Sequence, residues 1–79
     1  GEFAIDLRVT RCAKGFDVRG QVLGDIGRCS VTLSNGSISA AADADAEGAF
    51  RFDDVTAGTY TIVITGENGE LVVENIDLV

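Results

Sequence analysis

Two cysteines, a run of acids between residues 43 and 54, and the complete absence of histidine set the chemistry open to this chain. Cys12 and Cys29 are its only thiols. A disulfide between them would stabilise a small domain by roughly 3 kcal/mol in the loop-entropy picture, a large share of its total stability. The same two residues read equally well as reduced, partly buried thiols. Asp43, Asp45, Glu47, Gly48 and Asp54 fall at the first, third, fifth, sixth and twelfth places of one window. A calcium loop puts its oxygen ligands and its sharp-turn glycine at those places. A strand is expected to begin at Ala49, however, Arg51 would bring a cation to the site, and Asp54 is shorter than the usual Glu. The plainer reading is a solvated acidic turn. Asp53 with Asp54, and Glu67 with Glu70, could be offered as a general acid and base. Adjacent strand residues point to opposite faces and Glu67 and Glu70 flank a turn, whereas glycosidic chemistry needs carboxylates facing each other across a cleft.

The composition narrows these options. At 79 residues the chain is one small domain, and it must use every apolar side chain to build a core. Without His the commonest general base and metal ligand are missing, so triads, Cys–His dyads and most zinc sites cannot be built, and two sulfurs without imidazole make a poor four-ligand zinc site. The chain is therefore expected not to be an enzyme and to need no cofactor, calcium being the one candidate. The first 28 residues carry five cations against four acids, net +1, and the remainder carries Arg51 against nine acids, net −8, for −7 in all. An acidic chain with no basic stripe is a poor ligand for nucleic acid or for anionic membranes. The expected partners are thus a protein or a neighbouring domain, with any electrostatic contact on the acidic part. No apolar run approaches the ~20 residues of a membrane span. Gly1-Glu2-Phe3 looks like a cloning remnant, which leaves 4–79 as a single domain.

The elements that must position these residues have a period of two. Phe3, Ile5, Leu7 and Val9 alternate with Ala4, Asp6, Arg8 and Thr10, as a half-buried strand requires. Phe16, Val18, Gly20 and Val22 form a second such row, and Cys29, Val31 and Leu33 a third. Asn35-Gly36 then predicts a tight type I′ hairpin turn. Further strands are expected at 37–42, at 49–53 with Phe50 and Phe52 on one face, and at 59–65 with Tyr60, Ile62 and Ile64 on one face. Asn68-Gly69 predicts a second tight turn before a last strand at 70–79. The alanine-rich 38–47 could be helical on propensity, but a lone helix would interrupt two hairpin-linked pairs. Residues 24–28 read as a loop. Seven short runs with turns about every ten residues predict an all-β sandwich of antiparallel strands. Open strand edges allow either a monomer or an edge-strand dimer.

Several of these runs carry a family pattern. Val18-Arg19-Gly20-Gln21-Val22, the acidic Glu47-Gly48-Ala49-Phe50-Arg51-Phe52 strand, and Gly58-Thr59-Tyr60 after a short loop resemble the carboxypeptidase regulatory-like domains. These are similar in turn to transthyretin-like and collagen-adhesin B-type domains. The resemblance covers residues 15–79, and Ala57 stands where many relatives have Pro. Its motif residues are Gly48, Phe50, Phe52, Gly58 and Tyr60, with Gly48 turning the chain and Phe50, Phe52 and Tyr60 entering the core.

The resemblance implies a seven-stranded, prealbumin-like Greek-key sandwich. It would serve as a non-catalytic accessory, spacer or docking module in a bacterial extracytoplasmic protein. A looser similarity is to such domains in proteins linked to sigma-factor regulation. The alternative is a surface adhesin or pilin-type assembly domain with bound calcium or an intramolecular isopeptide bond. In collagen-adhesin B-type domains a buried Lys attacks an Asn or Asp on the last strand, which would make Lys14 the amine and Asn75 or Asp77 the acceptor. Lys14 stands in a turn-like Lys-Gly pair, which argues against the desolvation that this reaction needs.

Overall fold

A computed structural model describes residues 3–24 and 27–79 of the chain. Its strands are β1 (Phe3–Cys12), β2 (Gly15–Gly24), β3 (Cys29–Ser34), β4 (Ser39–Asp43), β5 (Ala49–Val55), β6 (Gly58–Gly66) and β7 (Gly69–Leu78). Each lies on one of the alternating runs, and the alanine-rich 38–47 forms β4 and a turn, with no helix among the described residues.

The strands form two antiparallel sheets, ordered β1-β2-β5 and β4-β3-β6-β7. The chain changes sheet between β2 and β3, between β4 and β5, and between β5 and β6, so that β2 pairs with β5 and β3 with β6. Phe16, Val18 and Val22 of β2 and Phe50, Phe52 and Val55 of β5 are buried in one cluster with residues of the other sheet. Those are Cys29, Val31 and Leu33 of β3, Tyr60, Ile62 and Ile64 of β6, and Leu78 of β7. Full burial stabilises by about 1.5–3 kcal/mol for each large apolar side chain, so these central strands supply most of the driving force. The edge strands contribute less: Ile5, Leu7, Ala40 and Ala42 are only partly buried. Val9, expected to face inward, remains 45% exposed, because β1 is an edge strand and its packing against the core ends at Leu7.

Close approach explains two glycines. Gly20 stands directly opposite Phe50, and a Cβ there would lie 2.2 Å from the Phe50 ring, so the missing side chain is the space the ring occupies. Gly48 has φ 84°, and a Cβ on it would meet the Val22 carbonyl oxygen at 2.4 Å, while its own carbonyl accepts from the Val22 amide at 2.8 Å. That contact ties the β4–β5 turn to β2.

Both predicted hairpin turns exist, displaced from their expected positions. Ser34 pairs with Ser39, so the first connection has four residues, 35–38. Asn35 Oδ1 accepts from the amides of Ser37 (3.0 Å) and Ile38 (2.8 Å), and this side-chain turn holds a longer loop than a type I′ pair would. In the second, Gly66 pairs with Gly69, so Glu67-Asn68 is the connection and Gly69 opens β7. Phe3, assigned by sequence to a remnant, is the first residue of β1 and pairs with Gly24. Gly1 and Glu2, with Asp25 and Ile26 of the predicted loop, lie outside the described residues.

Candidate functional site

One constellation, which the sequence did not suggest, forms where β1 turns into β2. Cys12 ends β1, and Asp17 and Asp54 come beside it because β2 and β5 shift register between Phe16 and Val18. Cys12 Sγ lies 3.8 Å from Asp17 Oδ1 and 3.8 Å from Asp54 Oδ1. This is the one group of three possible ligand atoms found among the described residues, all within 4.8 Å of one another. A thiolate with two carboxylates is a mixed soft and hard donor set of a kind zinc accepts. The cluster also has a complete structural account. Asp17 Oδ1 accepts from the Asp54 amide at 3.4 Å, at a residue held with φ 55°, and Asp17 Oδ2 faces Arg51 at 3.9 Å. Asp17 thereby fixes the irregular end of β5. Arg51 is also hydrogen-bonded to Asp53, and that bond, together with the carboxylate's charge, holds the guanidinium above its ordinary value.

The proposed calcium set does not converge. Asp45 Oδ1 accepts from the amides of Glu47 and Ala49, both at 2.9 Å, so this carboxylate caps the β4–β5 turn. Asp43 ends β4, and the Glu47 carbonyl accepts from Gln21 Nε2 at 3.1 Å. Asp54 lies near the other end of β5, about 17 Å along the strand from Ala49 at 3.3–3.4 Å per residue. The strand expected at Ala49 is what separates the fourth ligand from the first three.

The two covalent candidates meet the same obstacle. Both cysteines are free. Cys12 lies opposite Gly15 at the start of β2. The Cys29 carbonyl instead accepts from Ala44, next to the turn that is bonded to Val22, seven residues further along β2. About 23 Å of strand rise separates those levels, well beyond the Cα separation of a disulfide. Burial pushes the Cys29 thiol above its ordinary value, which keeps it protonated. Lys14 is exposed on the two-residue β1–β2 connection, and Asn75 is exposed at φ 60° where β7 shifts register against β6. Neither is desolvated, so the isopeptide chemistry has no site here. Asp77, the other acceptor, accepts a 2.8 Å hydrogen bond from Thr59 Oγ1.

The acids after residue 28 do not gather on one side. Asp43, Asp45 and Glu47 surround the β4–β5 turn, Asp53 and Asp54 lie toward the opposite end of β5, and Glu70, Glu74 and Asp77 lie along β7. The outer face of the three-stranded sheet carries an unexpected row of cations, with Arg8, Arg19 and Arg51 directly opposite one another across β1, β2 and β5. Like charges so placed are unfavourable. Asp6 beside Arg8 (4.0 Å) and the Asp17 and Asp53 carboxylates beside Arg51 offset part of that cost.

No family model matches the chain, and no curated protein or solved structure matches it. The family resemblance therefore rests on the motif residues alone. Phe50, Phe52 and Tyr60 are in the core, at 5%, 6% and 1% exposure. Gly48 is in the tight β4–β5 turn and Gly58 opens β6. Tyr60 also donates its hydroxyl to the Thr56 carbonyl four residues upstream, at 2.9 Å. This contact across the β5–β6 connection is the tyrosine-corner device of sandwich folds.

Proposed function

We propose that this chain is a non-catalytic accessory module of a larger extracytoplasmic protein, serving as a rigid spacer or as a docking domain for a neighbouring domain or protein partner. The observation that carries the reading is how the polar side chains are used. Asp45 caps a turn, Asp17 holds the end of β5, Tyr60 ties β6 to the preceding loop, and Asp77 bonds Thr59. These groups maintain two sheets and their connections, and the surfaces they leave are strand edges and sheet faces, which suit contact with other protein. The three changes of sheet and the β2–β5 and β3–β6 pairings support a Greek-key path. A prealbumin-like assignment is supported by the Gly48-x-Phe50-x-Phe52 and Gly58-x-Tyr60 residues.

The test uses the parent protein with an epitope inserted after Gly36, an exposed position in the β3–β4 connection. Intact cells are expected to bind antibody to the epitope, or its periplasmic fraction to contain it. Excision of residues 4–79 is expected to spare the intrinsic activity of neighbouring domains while abolishing their attachment or spacing. Labelling confined to the cytoplasm, or loss of a catalytic activity that returns when this chain is added back alone, would overturn the reading.

A further inference from the structure

The two sheets present four edge strands, β1, β5, β4 and β7, and three of them are poor templates for another strand. β4 has five residues. β5 is interrupted at Asp54 (φ 55°), and β7 at Asn75 (φ 60°), where it also shifts register. β7 further carries Glu70, Glu74 and Asp77 with no cation, so two copies of it would repel. Short strands, irregularities and like charges are the usual ways in which edges are protected.

β1 has none of these features. Its ten residues pair with β2 one for one, without a register shift. Its inward row carries Ile5, Leu7 and Val9, with Arg11 only at its far end, over the Phe16 ring, and its outward row contains Asp6 and Arg8. The segment Ile5-Asp6-Leu7-Arg8-Val9 is self-complementary, because reversing its direction keeps the apolar positions and exchanges the acid with the base. Two antiparallel copies centred on Leu7 would set Asp6 opposite the second copy's Arg8, twice, with Ile5 opposite Val9. A slip of one residue would turn the apolar row to the wrong face. Slips of two would set Asp6 against Asp6, or Arg8 against Arg8. Charge therefore selects one register. With Asp6, Arg8 and Arg11, β1 itself carries +1 in a chain of −7, so two copies would meet along an edge of low mutual repulsion.

We propose that β1 is a self-recognition edge, on which a second copy of this chain pairs antiparallel about Leu7 to join the two three-stranded sheets into one of six strands. The half-exposed Val9 gains an apolar neighbour in Ile5 of that copy. The inference goes beyond the module reading and stands on β1 alone. Failure of the epitope experiment would leave it intact, and the reverse also holds.

Sedimentation equilibrium of the 79-residue chain, from about 10 µM to about 1 mM, tests it, because a single strand pair is a small interface and a weak dimer. The variants are D6R, R8D and the double variant D6R/R8D. R8D sets a carboxylate opposite Arg19 and so leaves the fold supported, which circular dichroism verifies. Each single variant is expected to self-associate about tenfold more weakly, since two attractive cross-strand pairs become repulsive. The double variant is expected to recover the original association, and an equimolar mixture of D6R and R8D is expected to form the heterodimer. A monomer throughout the range, single variants that associate like the unaltered chain, or a mixture that gains nothing over its components would overturn the proposal.

Discussion

Tyr60 shows how one side chain can serve two levels of structure. Its ring is among the most buried in the molecule, and its hydroxyl donates to the Thr56 carbonyl and also lies 3.2 Å from the Thr56 hydroxyl. Y60F keeps the ring and removes the bond, and is expected to lower stability by about 1–2 kcal/mol with little change in the slope of urea unfolding. An unchanged midpoint would show that the corner contact contributes nothing. Cys29 supplies a pH dependence. Burial raises its pKa in the folded state, so the folded chain holds this proton more tightly than the unfolded chain. The resulting stability is fully present below the ordinary thiol value of about 8.5 and is lost as pH rises through the folded value. The stability difference between the unaltered chain and C29A is expected to hold at neutral pH and to shrink as pH rises above the ordinary thiol value of about 8.5. In native buffer at neutral pH, iodoacetamide is expected to modify the half-buried Cys12 and to reach Cys29 only after denaturant is added.

At the scale of elements, the β4–β5 turn is the clearest case of side-chain chemistry used for structure. Asp45 bonds two amides through one carboxylate oxygen, and its own carbonyl accepts from Gly48 at 2.9 Å. D45A is expected to cost about 1 kcal/mol in urea unfolding, equally with and without added calcium. A cost that appears only in calcium would restore the ion-binding reading of this loop. The strands themselves are legible because period two holds over the stretches that face the core. The rows Phe16-x-Val18, Cys29-x-Val31-x-Leu33, Phe50-x-Phe52 and Tyr60-x-Ile62-x-Ile64 all point into the core as their alternation demands. What local pattern could not supply was pairing between distant strands. The Cys12, Asp17 and Asp54 cluster depends on the β2–β5 register shift, and the Arg8, Arg19 and Arg51 row depends on three strands being in step. The separation of Cys12 from Cys29 depends on β2 running nearly the length of the sheet between them. The β3–β4 connection is longer than Asn35-Gly36 predicts because Asn35 uses its side chain to close a four-residue loop, a choice that the dipeptide does not reveal.

The whole molecule is a thin, elongated body of 36 × 22 × 16 Å, with its apolar material concentrated between β2, β5, β3 and β6. An elongated body with four open strand edges offers extended surfaces for contact with other protein, in line with the module role proposed above. The proposed edge β1, and not an ion site in the acidic turns, is the surface through which this chain is expected to act. The most direct measurement is the amide spectrum of the uniformly ¹⁵N-labelled chain, recorded at rising protein concentration and then at rising calcium. Shifts are expected along Phe3–Cys12 as concentration increases, with the amides of Asp43, Asp45, Glu47 and Asp54 unmoved by calcium. Saturable calcium shifts at those four residues, with β1 unchanged at every concentration, would contradict this expectation.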